Sequence, residues 1–102
     1  MRKPKDGSTI SISGHEYELH YVKGLVNYKG DGLWGLYKAH TGEVLIEADC
    51  PQRQSAQTLI HEIVHGILEH SGFSGGDDDE RIANAIAYGL TSVRINGKSI
   101  LR

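Results

Sequence analysis

The sequence predicts an α+β fold: a small antiparallel sheet followed by two packed helices. Residues before Cys50 alternate between polar and apolar side chains with the period of two that is typical of strands. Beyond it, apolar residues recur at the spacing i, i+3, i+4, i+7 of amphipathic helices. The length of 102 residues fits one folding unit. We therefore expect a flexible basic tail over residues 1–7 and a single domain over residues 8–102.

Four strands in two hairpins are predicted in the first half. They comprise residues 8–13, 16–22, 33–39 and 43–48. Gly14 lies between the first two and Gly42 between the last two, and glycine is favoured in tight hairpin turns. Residues 28–32 separate the hairpins and contain two glycines around Asp31, which is typical of a turn. Together these patterns predict the antiparallel sheet.

Two helices are predicted in the second half. They cover residues 55–70 and residues 80 to about 93. Ser55 is a favourable N-cap for the first helix, and Ser71 followed by Gly72 is a favourable C-terminal stop. The acidic residues 77–79 supply a cap and a favourable negative charge for the second helix. The segment after it either turns back at Asn96 or frays.

Composition and charge exclude several classes of protein. The net charge is -2, from 11 Lys and Arg residues against 13 Asp and Glu residues, so the charge does not indicate a basic surface that binds nucleic acid. No apolar stretch approaches the ~20 residues of a membrane helix, and no apolar segment follows the basic start as in a signal peptide. Cys50 is the only cysteine and precedes Pro51, which favours a packed small residue over a nucleophile. We expect a cytoplasmic protein that binds neither nucleic acid nor membrane.

Residues 61–65 form the motif His-Glu-x-x-His inside the first predicted helix. His61 and His65 lie one turn apart and about 40° apart around the axis, so both imidazoles can reach one metal ion. Glu62 is rotated by ~100° from His61, which places it on the open side of the ion as a general base for a bound water. The alternatives are histidines on a solvated helix face or a satisfied pair at the edge of the core.

A catalytic zinc site needs a third protein ligand. His70 is excluded because it lies about 180° from the first motif histidine on the helical wheel. Glu80 opens the second helix, where Ala83 and Ala87 on the same side allow a close approach to the histidine helix. Glu80 is therefore the favoured candidate, and its alternative role is a favourable charge at the helix N-terminus or a capping residue. The weaker candidates are His15, His20, His40 and the acidic residues 77–79.

The sequence around this motif resembles the ImmA/IrrE-type metallopeptidases, in particular their small phage- and prophage-encoded members, which are minimal gluzincins. The likeness covers roughly residues 33–93 and is carried by TLIHEIVH at residues 58–65 and ERIANAIA at residues 80–87. Val64 and Ile86 depart from the family, which often has glycine and an aromatic residue at these positions. The resemblance implies a zincin-like metallopeptidase domain after the basic tail.

The resemblance also implies the chemistry of the site. His61, His65 and Glu80 would bind Zn²⁺, and Glu62 would activate a zinc-bound water. The strand over residues 44–48 would pair with an extended substrate peptide. We therefore expect a zinc-dependent metalloendopeptidase that hydrolyses a peptide bond of a cytoplasmic protein.

Several points stay open from the sequence. An oxyanion-stabilising residue is expected, and the candidates are Tyr88, His70 and His40. The motif histidines need hydrogen-bond acceptors for their second ring nitrogen, and Asn84, Gln57 or a backbone carbonyl qualify. The alternative function is a non-catalytic, zinc-stabilised protein-interaction module, which would keep the metal for folding. A DNA-binding regulator is opposed by the charge balance.

Overall fold

A four-stranded sheet, two packed helices and a short hairpin make up the fold. The computed structural model describes residues 3–73, 76 and 78–99. The strands of the sheet are β1 (Thr9–Ile12), β2 (His15–Val22), β3 (Gly35–Lys38) and β4 (Glu43–Glu47). The helices are α1 (Gln52–His70) and α2 (Asp79–Ser92), and the hairpin consists of β5 (Arg94–Ile95) and β6 (Lys98–Ser99). The predicted α+β class is confirmed.

The sheet is mostly, but not fully, antiparallel. Its strand order is β1-β2-β4-β3, and both predicted hairpins pair antiparallel as expected. They meet along β2 and β4, which run parallel, with Leu19 opposite Val44 and Tyr21 opposite Ile46. This places β4 in the interior of the sheet, where Val44, Leu45 and Ile46 are all buried. A run of consecutive apolar residues fits a strand that is covered on both faces.

One edge of the sheet belongs to β3, whereas β4 has no free edge. Hydrogen bonds to β2 and to β3 occupy both sides of β4, so the expectation that residues 44–48 pair with a substrate peptide is wrong. The amide of Glu47 donates to the carbonyl oxygen of Trp34 over 2.7 Å. In an antiparallel pair, every second residue of a strand directs its N–H and C=O groups toward the partner strand. Since Trp34 directs its carbonyl group toward β4, the N–H and C=O groups of Gly35 and Tyr37 face away from β4. No described strand pairs with β3 on this side, so these groups form the open edge of the sheet, apart from the Tyr37 amide, which donates to the carboxylate of Glu62.

Helix α1 packs against the sheet and closes the core. The buried cluster combines α1 with the strands, and its members are Ile12, Tyr17, Leu19, Val44, Ile46, Cys50 and Leu59. Full burial of a side chain such as Leu19 stabilises the fold by roughly 2 kcal/mol. Cys50 is 7% exposed, which confirms it as a packed small residue. At Gly66 a β-carbon would lie 3.0 Å from Cδ1 of Ile12, so glycine lets α1 approach the sheet closely.

Helix α1 begins one turn earlier than expected. Its N-cap position is Pro51, without a side-chain cap, and Ser55 is buried inside the helix with its amide donating to the carbonyl oxygen of Pro51. Residues 52–54 are Gln, Arg and Gln, whose good helix propensity extends the helix back to the proline. The prediction of Ser55 as the N-cap is therefore wrong. The predicted stop is confirmed, since Ser71 is the C-cap and Gly72 has a positive φ.

Helix α2 packs on α1 through small side chains. Ala83 and Ala87 are both 0% exposed, as expected for residues that let the two helices approach closely. The helix begins at Asp79, and Asp78 occupies the N-cap position without a side-chain cap bond. Asp77 lies outside the described residues. The acidic first turn complements the helix dipole.

Hydrogen bonds define the course of the chain near both ends of the described residues. The Tyr21 hydroxyl donates to the carbonyl oxygen of Pro4 over 2.6 Å, and the Tyr21 amide donates to Oδ1 of Asp6 over 2.8 Å. After α2 the chain turns back at Asn96 and Gly97, both of which have positive φ, and forms the β5–β6 hairpin. Of the two alternatives for this segment, the turn is confirmed. Among the described residues, neither helix combines the length and apolar content that a membrane span needs.

Candidate metal centre

Two histidines of α1 and one carboxylate of α2 converge on one point. Nε2 of His61 lies 3.1 Å from Nε2 of His65. The carboxylate of Glu80 reaches both rings, with Oε2 3.3 Å from Nε2 of His61 and Oε1 2.6 Å from Nε2 of His65. One donor atom from each residue lies within 4.8 Å of the others. The structure thus brings together the three residues named as ligands from the sequence, and they form a possible metal-binding triad.

The packing of the two helices positions these side chains. His61 and His65 lie one turn apart on α1, and their rings meet edge to face with centroids 4.8 Å apart. Glu80 lies in the first turn of α2. Burial of Ala83 and Ala87 holds α2 against α1, which brings the carboxylate over the imidazoles. The third donor therefore comes from the contact between the helices and not from the motif itself.

The three donors fit a divalent transition-metal ion. In a tetrahedral zinc site with bonds of about 2.0–2.1 Å, neighbouring donor atoms lie roughly 3.3 Å apart. The separations of 3.1 Å between the imidazoles and 3.3 Å between Glu80 and His61 agree with this geometry. The 2.6 Å between Glu80 and His65 is a hydrogen-bond length, so these two groups would have to move apart slightly to share an ion. Two imidazoles and one carboxylate leave a fourth position for water or substrate, as in catalytic zinc sites. The same donors also suit other divalent ions of the first transition series.

Glu62 is a buried carboxyl group beside the triad. Only 7% of the residue is exposed, and its Oε2 lies 3.9 Å from Nε2 of His61. Burial raises the pKa of Glu62 to about 7, and the negative charge of Glu80 adds to this effect. The backbone amide of Tyr37 donates to the carboxylate and acts on the pKa in the opposite direction. A carboxyl group with a pKa near 7 can both accept and release a proton at neutral pH.

The edge strand β3 passes directly over Glu62. A β-carbon at Gly35 would lie 2.5 Å from Cγ2 of Thr58 and 3.1 Å from Oε2 of Glu62. The first of these distances is shorter than real side chains tolerate, so this close approach requires glycine. A glycine inside a predicted strand is a known sign of such an approach, and it is the signal by which Gly35 could have been singled out from the sequence.

A cleft of about 510 Å³ is lined by His61 and Glu80 of the possible triad and by Gly35 and Leu36 of β3, and we call it the β3 cleft. One wall is apolar and aromatic and is formed by Tyr28, Leu33, Trp34 and Leu36. The opposite wall is polar and includes Gln54, Gln57, Thr58 and Asn84. Trp34 is 50% exposed and Tyr28 is 92% exposed, so aromatic surface is available to a ligand. No motif or spacing in the sequence assigns these aromatic residues to the site, and their position beside a glycine-rich turn is the available signal.

The loop that carries Tyr28 is held by two side-chain acceptors. Oδ1 of Asn27 accepts hydrogen bonds from two backbone amides within the loop. At the base of the loop, the Glu47 carboxylate accepts from the amides of Asp49 and Leu25 over 3.1 and 2.9 Å. These hydrogen bonds hold the pKa of Glu47 below its ordinary value. The aromatic wall of the cleft is therefore anchored to the end of β4.

The residues proposed as oxyanion stabilisers lie outside the β3 cleft. His70 stacks on His15 with ring centroids 4.0 Å apart, and its Nε2 lies 2.5 Å from the hydroxyl oxygen of Tyr17. It belongs to a cluster at the C-terminal end of α1. His40 is exposed in the turn between β3 and β4. Tyr88 lines a neighbouring cleft instead.

In comparisons with known proteins, no family model, no curated protein and no solved structure matches the chain. Any function of this protein is therefore inferred from the site itself. Its parts are three convergent donor atoms, a buried carboxyl group beside them and an open strand edge.

Proposed function

We propose that the protein is a zinc-dependent metalloendopeptidase of the ImmA/IrrE-like, minimal gluzincin type, which hydrolyses a peptide bond of a cytoplasmic protein. In this proposal His61, His65 and Glu80 hold the zinc ion, and Glu62 is the catalytic base. The observation that carries it is the buried carboxyl group of Glu62 next to three convergent donors. Structural zinc sites usually have four protein ligands, whereas three ligands and an open position are typical of catalytic sites.

The roles of the residues follow from their positions. Zinc, when bound, supplies a Lewis acid for the attacking water and the scissile carbonyl group. The Glu62 carboxylate accepts a proton from the water as the water oxygen attacks the carbonyl carbon. It then donates this proton to the nitrogen of the leaving amine as the C–N bond breaks. Burial beside the three donors keeps this one carboxyl group close to the open coordination position, so the same group can act first as a base and then as an acid.

The open edge of β3 supports an extended peptide as the substrate. The N–H and C=O groups of Gly35 face this edge, as does the C=O group of Tyr37, so a peptide strand can add to it through backbone hydrogen bonds. Trp34 and Leu36 line the same cleft and offer contacts to apolar side chains of the peptide. The proposed site of peptide pairing is therefore β3, beside Glu62.

Metal content and peptide cleavage, measured on matched variants, test the proposal. We expect the wild-type protein to bind one zinc ion per chain and to cleave members of a random peptide library. Glu62→Gln should keep the zinc and the fold but lose cleavage by about 10²- to 10⁴-fold, since it removes the general base. Glu16→Gln changes an exposed carboxylate on β2 and serves as the control, with zinc content and cleavage unchanged.

Two results would count against the peptidase. Low zinc content that is unchanged by His61→Ala would remove the metal site, and cleavage that persists in Glu62→Gln would remove the proposed base. The alternative function, a non-catalytic zinc-stabilised interaction module, gives a different pattern. It predicts that Glu62→Gln keeps partner binding and every biological effect of the wild-type protein.

A further inference from the structure

A second cleft, of about 570 Å³, adjoins the β3 cleft. It lies between the first turns of α1, the last turns of α2 and the β5–β6 hairpin. Gln54 and Gln57 line both clefts, so the two share one wall of α1. A peptide bound beside the metal triad can therefore continue into the second cleft.

The lining of the second cleft is positively charged, and we call it the arginine cleft. Arg53 and Arg94 contribute to it, and among the described residues no Asp or Glu does. Neither guanidinium has a carboxylate within ion-pair distance in the part of the chain that the structure describes. The β3 cleft differs in this respect, because it contains the carboxyl groups of Glu62 and Glu80.

The guanidinium of Arg94 is held in place by the backbone. Its Nη1 donates to the carbonyl oxygens of Thr91 and Val93 over 2.9 and 3.1 Å. Both bonds use the same nitrogen, which leaves the N–H groups of Nη2 and Nε for a ligand. A guanidinium binds a carboxylate through two parallel N–H donors, and a group that is already oriented loses less entropy on binding.

The spacing along α1 determines how far from the scissile bond the arginine cleft lies. Arg53 precedes His61 by eight residues, which is about 12 Å along the helix axis. An extended peptide covers this distance in about three to four residues. A group bound by the arginines is therefore separated from the scissile bond by about that number of residues.

The direction of β3 determines which side of the scissile bond enters the arginine cleft. Gly35 lies against Thr58, and Tyr37, further along β3, lies against Gly66, so β3 and α1 run in the same direction. A peptide in the more stable antiparallel pairing with β3 runs opposite to both. Residues on the C-terminal side of its scissile bond then point toward Arg53.

We propose that the arginine cleft binds a carboxylate of the substrate, about three to four residues on the C-terminal side of the scissile bond. This proposal rests on the proposed peptidase function of the β3 cleft and adds a preference for acidic substrates. The carboxylate belongs either to an Asp or Glu side chain or to the C-terminus of the substrate.

Matched peptides test this preference. Each has a fixed uncharged sequence with apolar residues on both sides of the central bond, and one pair carries either Glu or Gln at the third and fourth positions after that bond. A second pair ends at these positions with either a free or an amidated C-terminus, so the two sources of a carboxylate are distinguished. Cleavage is measured as kcat/KM with the zinc-loaded wild-type protein. Binding is measured as Kd with zinc-loaded Glu62→Gln and the same peptides carrying a fluorescent label.

Two double variants complete the experiment. Arg53→Gln/Arg94→Gln removes both cations from the cleft, and Lys5→Gln/Lys23→Gln removes the same charge from exposed positions that line neither cleft. We expect the wild-type protein to prefer the acidic peptide of at least one pair by about fivefold, since both arginines are exposed. The preference should fall to within about twofold in the arginine variant, persist in the lysine variant and weaken at high salt because charges are then screened.

The outcomes separate this proposal from the peptidase function. Equal values for acidic and neutral peptides, including no binding of either, would overturn the arginine cleft as a carboxylate site. So would a preference that survives in Arg53→Gln/Arg94→Gln. If the wild-type protein cleaves none of the peptides, the peptidase function fails, and the Kd values of Glu62→Gln still decide whether a carboxylate is recognised.

Discussion

The backbone of Gly35 lies directly against the side chain of Glu62: a β-carbon at this glycine would be 3.1 Å from both Cγ and Oε2 of the glutamate. The same strand donates the Tyr37 amide to the Glu62 carboxylate. The strand with the open edge is therefore also the element that positions the proposed base. A displacement of β3 is expected to affect both peptide binding and proton transfer.

Gly35→Ala is expected to lower both stability and activity. The new methyl group would lie 2.5 Å from Cγ2 of Thr58, and relief of this overlap has to displace β3 or α1. Overpacking of this kind lowers the free energy of unfolding by about 1–3 kcal/mol. Chemical denaturation and peptide cleavage measure the two effects. Gly32→Ala is the control, because a β-carbon at Gly32 meets no atom within 4 Å; equal effects of the two variants would argue against the close approach.

The stability of the metal-free protein is expected to fall as the pH rises from about 4.5 to about 7. In this interval the Glu62 carboxyl group ionises in the unfolded chain, whereas in the fold burial raises its pKa to about 7. The folded state therefore holds the proton that the unfolded state releases. Protonated Glu62 therefore adds about 3 kcal/mol to the free energy of unfolding. This contribution is complete below the pKa of the unfolded chain, about 4.5, and is lost above the pKa of the fold, about 7.

Glu62→Gln removes this pH dependence because glutamine does not titrate. Denaturant unfolding of chelator-treated wild-type protein and variant at a series of pH values gives the difference between their free energies of unfolding. Contributions of titrating groups that lie far from Glu62 cancel in this difference. We expect the difference to change between the two pKa values and to be flat outside them. A difference that is constant at every pH would mean that Glu62 titrates alike in both states.

Glu80→Gln is expected to weaken zinc binding by about 100-fold or more. Mutation of residues that only hydrogen-bond to metal ligands already lowers the metal affinity by about 10- to 100-fold, and loss of a ligand should lower it further. The metal-free stability should change little, because the side chain is 71% exposed and contributes little to packing. Competition with a chromophoric chelator measures the zinc affinity. Asp78→Asn is the control in the same turn and also tests this aspartate as an alternative ligand. An unchanged affinity in Glu80→Gln would place the third ligand elsewhere, and a loss confined to Asp78→Asn would identify Asp78 as that ligand.

Trp34→Ala is expected to raise KM several-fold for peptides with apolar residues beside the scissile bond. The indole lines the β3 cleft and is 50% exposed, so its removal takes away contact surface without opening a cavity in the core. Steady-state kinetics with the peptides above measure the change. Phe73→Ala removes an aromatic ring that is 72% exposed and lines neither cleft, and should leave KM unchanged. An unchanged KM in Trp34→Ala would rule out substrate contact with the indole of Trp34.

Features that depend on local spacing could be predicted from the sequence. The spacing of His61 and His65 puts both imidazoles on one face of a helix, and small residues at Ala83 and Ala87 indicate the close helix contact that brings Glu80 to them. The pairing of each hairpin follows from alternation on both sides of a glycine turn. In these cases the neighbours in space are also neighbours in sequence, or lie at the facing positions of consecutive helices.

Features that depend on distant segments could not be predicted in this way. Alternation of polar and apolar residues is the same for parallel and antiparallel strands, so it does not reveal that β2 and β4 run parallel. Helix α1 begins before Ser55 because the helix propensity of residues 52–54 outweighs the capping preference of this serine. Arg53 and Arg94 meet in one cleft through the packing of α2 on α1, and no periodicity relates them.

The claim that one divalent ion is held by His61, His65 and Glu80 is tested most directly by anomalous diffraction at the zinc absorption edge, with crystals of the zinc-loaded protein. We predict a single peak bonded to Nε2 of both histidines and to a carboxylate oxygen of Glu80 at about 2.0–2.2 Å, with the Glu62 carboxylate beside the ion but not bonded to it. A peak bound without Glu80, or no peak beside the two histidines, would contradict the claim.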